Sequence, residues 1–342
     1  KGIVFASHVG DHNDVLGLSG TSAKVDINIT GNDVYSAGNA LEFSNSVTGA
    51  DVNISNNNDG FVTTSGHGIL FNKKVEDSDF DIEGNIIDSG DDGIVFAKKV
   101  KNSTVDIVDN DITADSDGVL FKKRIQNSTI NILGTTLGDA KIVSQEDGVL
   151  LQKRASNSTV LIQNVEITAG DSGDGIDIQH ITNSDVTVDY VDVKAGREGI
   201  EFDNVISGNS IVTVKDSKFV TDGHGLHFES QTHIEGQAHV VITGNDIDAG
   251  KDGILFEGNI SNVVPSGGSS ISDEIYIGNN TIVGSDNGIS ITGNVSNWRH
   301  DTQIENNTIE GETGNGIQVT GNVTGAEIEI VHNDNIKAGN NG

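Results

Sequence analysis

The sequence predicts an all-β fold: a right-handed parallel β-helix solenoid of about 12 coils of ~24–38 residues, with three short strands in each coil. Three observations support this prediction. An anchor glycine repeatedly precedes a short apolar strand, as in Gly93-Ile-Val-Phe96 and Gly118-Val-Leu-Phe121. A second strand alternates apolar and polar residues, as in Thr104-Val-Asp-Ile107. No segment has the apolar period of a helix.

The anchor position recurs along the whole chain, and each step from one anchor to the next contains the same three segments. The first strand follows the anchor, the second is the alternating strand, and the third is shorter and often reads Asn-x-Ile, as at 110–112 and 307–309. Alternation places Val105 and Ile107 on one face of the second strand. The anchors are Gly2, Ala40, Gly68, Gly93, Gly118, Gly148, Gly175, Gly199, Gly225, Gly253, Gly288, Gly316 and Gly342.

Stacking of the coils explains how such short strands build a core. Equivalent strands of neighbouring coils pair in parallel at ~4.8 Å, and the inward Ile, Val, Leu and Phe side chains form one continuous apolar column. We therefore expect residues 1–342 to form a single β-helix, with excursion loops near residues 10–24 and 258–273 where the steps are longest. Solenoids need caps and neither end shows one, which predicts an internal segment of a larger protein or end-to-end association with another copy.

Composition limits the partners and the location of the protein. With 20 Lys and Arg against 51 Asp and Glu, the formal net charge of −31 excludes nucleic acid as a partner and favours cations such as Ca²⁺. The absence of Cys excludes disulfides and thiolate chemistry. No apolar run is long enough to insert into a membrane. This composition is typical of secreted bacterial surface proteins, so we expect a secreted, extracellular or cell-surface location.

The third strand and the following anchor carry a resemblance to a known family. The segments 110–119 and 307–317 each read Asn-x-Ile, then polar residues, then Gly and an apolar residue. This pattern resembles the parallel β-helix repeat of pectate lyases, polygalacturonases, phage tailspikes, alginate epimerases and bacterial surface proteins. The resemblance implies the fold and leaves the function open. We expect a structural or adhesive stalk segment of a large secreted bacterial surface protein or extracellular filament. The alternatives are a polysaccharide-active enzyme, hydrolase or lyase, and a non-catalytic module that binds acidic glycans.

Stacking turns repeated residues into ladders of side chains. An Asn-Ser turn recurs at Asn102, Asn127, Asn157 and Asn183, for which we predict a structural role. A basic ladder occupies four consecutive coils and contains eight of the 20 cationic residues. Its neighbours Glu76, Asp77 and Asp79 could neutralise it in an ion-pair network, or it could bind an extracellular acidic polysaccharide or another anionic partner. Its members are Lys73, Lys74, Lys98, Lys99, Lys123, Arg124, Lys153 and Arg154.

The turns that precede the anchors are acidic. Stacked carboxylates repel one another, and Ca²⁺ accepts several such oxygens from flexible sites, so Ca²⁺ binding is one interpretation and solvated polar turns are the other. No cofactor is otherwise indicated. The candidate metal ligands are Asp91, Asp92, Asp115, Asp117, Asp171 and Asp174.

A catalytic interpretation depends on a resemblance to polygalacturonases, which carry Asn-Thr-Asp, Gly-Asp-Asp and Gly-His-Gly motifs followed by Arg-x-Lys. By that resemblance Asp174, Glu198 and His224 would lie on one face of three consecutive coils, and two carboxylates could serve as acid and base. The sequence departs from the pattern, because Arg197-Glu198 replaces the paired Asp and no Arg-x-Lys follows. The expectation is therefore that the chain has no catalytic residues, with these three as the alternative.

Overall fold

The chain folds as an all-β parallel solenoid of about 11 coils with four parallel sheets, which confirms the predicted fold class. The structure, a computed structural model, describes residues 2–10, 24–58, 60–261, 275–296 and 302–339. The excursion loops predicted near 10–24 and 258–273 therefore lie almost entirely outside the described residues. The chain divides into two compact units, Lys1–Glu166 and Ile167–Gly342, which we describe one at a time.

The first unit places one strand of each coil in each of four sheets, named A to D in chain order. Sheet A contains Ile3–Phe5, Leu41–Phe43, Ile69–Phe71, Ile94–Phe96, Val119–Phe121 and Val149–Leu151. Sheet B contains Val9–Gly10, Val47–Thr48, Val75–Glu76, Val100–Lys101, Ile125–Gln126 and Ala155–Ser156. Sheet C contains Val25–Thr30, Ala50–Ser55, Asp79–Glu83, Thr104–Val108, Thr129–Leu133 and Thr159–Gln163. Sheet D contains Val34–Ser36, Phe61–Thr63, Ile86–Ser89, Asp111–Ala114 and Ala140–Ser144, and the strand Val165–Ala169 contains the boundary between the units.

The second unit repeats the same order of strands. Sheet A contains Ile176–Ile178, Ile200–Phe202, Leu226–Phe228, Ile254–Phe256, Ile289–Ile291 and Ile317–Val319. Sheet B contains Ile181–Thr182, Ile206–Ser207, Ile234–Glu235, Ile260–Ser261, Val295–Ser296 and Val323–Thr324. Sheet C contains Asp185–Asp189, Ile211–Lys215, His239–Thr243, Ile275–Gly278, Thr302–Glu305 and Ile328–Val331. Sheet D contains Asp192–Ala195, Lys218–Thr221, Asp246–Ala249, Thr281–Gly284, Thr308–Gly311 and Asn335–Ala338.

Each coil has one strand more than the three that the sequence predicts. The additional strand belongs to sheet B and is only two residues long, as in Val100–Lys101. Two residues are too few to show a period of two, so this strand is invisible to pattern analysis. Within the described residues no helix is both long and apolar enough to cross a bilayer.

Register between coils is set by the inward side chains of sheet A. Ile94 pairs with Val119 and Phe96 pairs with Phe121, so similar apolar side chains lie above one another inside the coil. Stacked phenylalanines result, because offset parallel rings at ~5 Å attract one another. Ring centroids are 4.6 to 4.9 Å apart in the first-unit series Phe5, Phe43, Phe71, Phe96 and Phe121. In the second unit they are 4.6 and 4.3 Å apart in the series Phe202, Phe228 and Phe256.

The anchor must be small because the backbones approach closely there. A Cβ atom at Gly93 would lie 2.5 Å from the carbonyl oxygen of Gly118 and 2.5 Å from Cγ2 of Ile112. The next anchor and the sheet D strand that leads to it therefore leave no space for a side chain. This close contact explains why glycine precedes every sheet A strand except Leu41–Phe43, which follows Ala40.

Two asparagine series join the coils. At the outer turn, Nδ2 of Asn127 donates to Oδ1 of Asn102 at 3.2 Å, and Nδ2 of Asn157 donates to Oδ1 of Asn127 at 3.3 Å. These residues have φ near +49°, a left-handed conformation that Asn tolerates. In the second unit Oδ1 of Asn183 accepts the backbone N–H of Asn209 at 3.1 Å.

The second asparagine series is buried, before the strands of sheet D. Nδ2 of Asn85 donates to Oδ1 of Asn110 at 2.9 Å in the first unit, and Nδ2 of Asn280 donates to Oδ1 of Asn307 at 2.9 Å in the second. These four side chains are at most 2% exposed. Because their polar groups are paired along the ladder, they can be buried without a large desolvation penalty.

Candidate functional site

A ladder of polar side chains precedes the anchors, and we call it the pre-anchor ladder. Its members immediately precede the anchors, and seven of the side chains accept a hydrogen bond from the backbone N–H of the next member. Asp117 N–H donates to Oδ1 of Asp92 at 3.2 Å, and Glu198 N–H donates to Oδ1 of Asp174 at 2.9 Å. The ladder contains Asn39, His67, Asp92, Asp117 and Asp147 in the first unit, and Asp174, Glu198, His224, Asp252, Asn287 and Asn315 in the second.

The three residues of the catalytic alternative, Asp174, Glu198 and His224, are consecutive members of this ladder, and the structure brings them together. Glu198 and His224 also approach His227, with one ligand atom from each residue within 4.8 Å of the others. Asp174 and Glu198 are only 1% and 4% exposed. Their burial follows from their position between the turn and the outward face of sheet A.

Arg197 links three buried carboxyl groups in the second unit. Its Nη1 lies 3.2 Å from Oδ2 of Asp174, its Nε 3.1 Å from Oε2 of Glu198, and its Nη2 3.3 Å from Oε1 of Glu201. Half of the guanidinium side chain reaches solvent, with 45% exposure, whereas the carboxylates below it are buried. The planar, permanently charged guanidinium suits this forked contact.

The pKa values of Asp174 and Glu198 shift in opposite directions. Burial, the hydrogen bond with Glu198 and the charge of Glu201 raise the pKa of Asp174. Burial would also raise the pKa of Glu198, but the hydrogen bond from Asp174 and the charge of Arg197 outweigh it and lower that pKa. A neutral carboxyl next to an ionised one is the arrangement that separates a proton donor from a proton acceptor. Burial and the charge of His227 lower the pKa of His224, which favours its neutral form.

A second group of ionisable side chains surrounds His227 on the outward face of sheet A. Register places Glu201 beside His227 on neighbouring strands, and Glu229 follows two residues later. One ligand atom each from Glu201, His227 and Glu229 lies within 4.8 Å of the others. Burial raises the pKa of Glu229 to about 8, and a hydrogen bond with Asp203 and the charge of Glu201 add to the shift.

Sequence reasoning missed Glu201, His227 and Glu229, although a signal was present. The middle residue of each sheet A strand points outward. In four consecutive coils of the first unit this residue is apolar, and the four side chains pack as one cluster: Leu70, Val95, Leu120 and Leu150. The same position carries Asp177, Glu201 and His227 in three consecutive coils of the second unit. A change from apolar to ionisable residues at one repeat position marks this group.

The basic ladder lies in the first unit, at the turn between sheets A and B. Its backbone is in register, because the carbonyls of Lys99, Arg124 and Arg154 accept N–H groups from the preceding coil at 3.0 to 3.1 Å. Seven of the eight side chains are exposed and Lys99 is half-buried. We call these eight residues the basic stripe.

Few carboxylates neutralise the basic stripe. Among the described residues only Lys74 of the eight has a carboxylate partner, Glu76 at 2.8 Å. Glu76 also pairs with Lys101 at 2.6 Å, and the hydrogen bonds from Lys101 and Lys74 lower its pKa to about 2. Asp77 accepts a hydrogen bond from Asn102, and Asp79 contacts Lys24. The ion-pair network expected from these three acids therefore reaches only one cation of the stripe.

The residues that the sequence offers as Ca²⁺ ligands do not share one site. Asp91 and Asp92 lie 3.4 and 3.3 Å from Nδ1 of His67, and Lys122 lies 3.3 Å from Asp92. Asp117 is the next member of the pre-anchor ladder after Asp92. Asp115 and Asp171 are exposed on the turns, and neither belongs to a described group of three metal-ligating side chains.

Comparison with known proteins adds no family. No protein-family model matches the chain, no curated protein matches it, and no solved structure matches it.

Proposed function

We propose that this chain is a structural and adhesive segment of an extracellular surface protein, and that the basic stripe binds an acidic polysaccharide. One observation supports this function best: eight cationic side chains stand in register over four consecutive coils, and only Lys74 has a carboxylate partner among the described residues. The regular coils and their asparagine ladders supply the rigid support that an adhesive surface needs.

Electrostatics explains why a linear anion suits the stripe. Like charges on neighbouring strands are ~4.8 Å apart and repel by about 1 kcal/mol per pair in water. The chain carries a formal net charge of −31, yet among the described residues only the carboxylate of Glu76 pairs with this stripe. A polymer with regularly spaced carboxylate or sulfate groups would relieve the repulsion along the whole ladder at once, whereas a single small anion would relieve it at one coil.

Charge reversal within the stripe tests the proposal. We expect the double variant Lys98→Glu with Lys123→Glu to bind polygalacturonate or alginate at least about tenfold more weakly than the unchanged protein, because two attractive contacts become repulsive. Lys141→Glu is the matched control, since Lys141 is an exposed lysine of sheet D outside the stripe. Affinity is measured by calorimetry or by retention on the immobilised polysaccharide at low salt. Equal affinity of all three proteins, or no binding at all, would contradict the proposal.

Catalysis is a second candidate, and the pair Asp174 and Glu198 favours it. Arg197 contacts both carboxyls, and the pKa of Asp174 is raised while that of Glu198 is lowered. Such a pair could supply an acid and a base to a bound sugar polymer. The same incubation with acidic polysaccharides distinguishes the two functions. Release of reducing ends or unsaturated products that disappears in Glu198→Gln would replace the adhesive function by catalysis.

A further inference from the structure

We propose that Glu201, His227 and Glu229 bind a divalent transition-metal ion, and that Zn²⁺ fits their donor set best. The inference does not depend on the adhesive or catalytic proposal. It is carried by a buried imidazole nitrogen that lacks a hydrogen-bond partner among the described residues and lies 3.8 Å from a carboxylate oxygen of Glu201.

The tautomer of His227 follows from its contacts. Nε2 lies 3.4 Å from Oε2 of Glu257, and the neutral tautomer with its proton on Nε2 donates to this oxygen. In that tautomer Nδ1 presents a lone pair. His227 is only 8% exposed, and among the described residues its Nδ1 has no hydrogen-bond partner. Metal-binding histidines usually donate their second ring N–H to a carboxylate in this way.

The lone pair of His227 points toward an acidic side chain. Nδ1 lies 3.8 Å from Oε1 of Glu201, and one ligand atom each from Glu201, His227 and Glu229 lies within 4.8 Å of the others. A buried lone pair beside a carboxylate is unfavourable unless a cation lies between them. Zn²⁺ with nitrogen and oxygen ligands at 2.0–2.2 Å needs those ligands about 3.3 Å apart, a closure that side-chain rotation can supply.

The surrounding charge permits a divalent ion. Arg197 contacts Glu201 at 3.3 Å, but its guanidinium also pairs with Asp174 and Glu198. Glu201, Glu229 and the neighbouring Asp203 leave an excess of carboxylate around His227. An imidazole ligand favours Zn²⁺ over Ca²⁺ or Mg²⁺, which take oxygen ligands almost exclusively.

His224 is the less suitable of the two neighbouring histidines, although it also approaches Glu198 and His227. Its Nδ1 accepts the backbone N–H of Asp252 at 3.2 Å, so the proton of the neutral ring is on Nε2. Neither nitrogen then offers a free lone pair. This difference makes His224 a discriminating comparison for His227 within the same cluster.

Titration of the tag-free 342-residue protein with Zn²⁺, after removal of metals by a chelator, tests the site. We expect one ion per chain with a dissociation constant on the order of 1 µM or tighter, and no displacement by an excess of Ca²⁺. His227→Leu should weaken Zn²⁺ binding at least about tenfold, while His224→Asn should retain it. Glu257→Gln should weaken it about tenfold, because it removes the acceptor that orients the imidazole.

The replacement residues were chosen because the repeat already carries them at equivalent positions. Leu255 occupies the position of His227 in the next coil, and Asn287 and Asn315 occupy the position of His224 in later coils, so both replacements are native to this fold. Circular dichroism should therefore match the unchanged protein. The assignment would be overturned if the protein did not bind Zn²⁺ or if a folded His227→Leu variant bound it with unchanged affinity. It would also be overturned if His224→Asn lost as much Zn²⁺ affinity as His227→Leu. Co²⁺ absorption bands that depend on His227 give an independent readout.

Discussion

At the scale of single residues, the pre-anchor ladder imposes burial on whichever side chain occupies it. Asn39 and Asn287 accept the hydrogen bond of the ladder without charge, whereas Asp117 must be buried next to Asp92 and Asp147. Burial raises the pKa of Asp117 to about 7, and the charges of Asp147, Asp92 and Glu146 contribute to the shift. The carboxylate is therefore ionised at a cost to stability in neutral and alkaline solution.

Replacing Asp117 by Asn should stabilise the protein at high pH only. The folded pKa of about 7 lies above the ordinary value of 3.8, so the folded state binds more protons between these values and its stability falls as pH rises through them. Asn keeps the acceptor and removes the charge. At pH above 7 we expect the variant to be more stable by about 2–4 kcal/mol, and by pH 4 the difference should vanish.

Urea unfolding of both proteins across that pH range measures the difference. The control is Asp115→Asn, which removes an exposed carboxylate two residues away. A stability difference for Asp117→Asn that grows toward acid pH would show that the carboxylate is stabilising, contrary to this account.

At the scale of the repeating element, a small anchor allows the coils to approach. Gly93→Ala should destabilise the protein by about 1–3 kcal/mol, because the new methyl group would meet the carbonyl of Gly118 and the side chain of Ile112. Gly38→Ala is the matched control: nothing lies within 4 Å of its Cβ position, so the same substitution should be neutral or slightly stabilising. Thermal melting of the two variants compares them. Equal melting temperatures would contradict the packing account.

Sequence alone could predict the strands and ladders that repeat, but only part of the candidate site. The glycine anchors and the Asn-x-Ile segments predicted the fold, and the three consecutive members Asp174, Glu198 and His224 were predicted to share one face. Glu201 and His227 were missed because an outward-facing residue normally reaches solvent. Here the outward face of sheet A is itself shielded from solvent, so that even Val95 is fully buried. Such shielding depends on tertiary structure rather than on periodicity.

At the scale of the whole molecule, the excess of acidic residues and the local basic stripe predict opposite responses to salt. Net charge far from zero destabilises a compact state through self-repulsion, and ions screen that repulsion. The same ions compete with an acidic polysaccharide for the stripe. Raising NaCl from about 0.01 M to about 0.5 M should therefore raise the melting temperature and weaken polysaccharide binding, since the Debye length falls from about 30 Å to about 4 Å.

Thermal melting and polysaccharide affinity measured in one salt series separate these effects. The melting temperature of the Lys98→Glu and Lys123→Glu double variant should rise with salt at least as steeply as that of the unchanged protein, because the variant has a more negative net charge. Its weaker binding to polysaccharide should depend less on salt. If the melting temperature instead falls with salt, surface ion pairs such as Lys101 with Glu76 stabilise the protein by more than the repulsion between its carboxylates destabilises it. In that case the acidic excess would be tolerated because the carboxylates are far apart or paired.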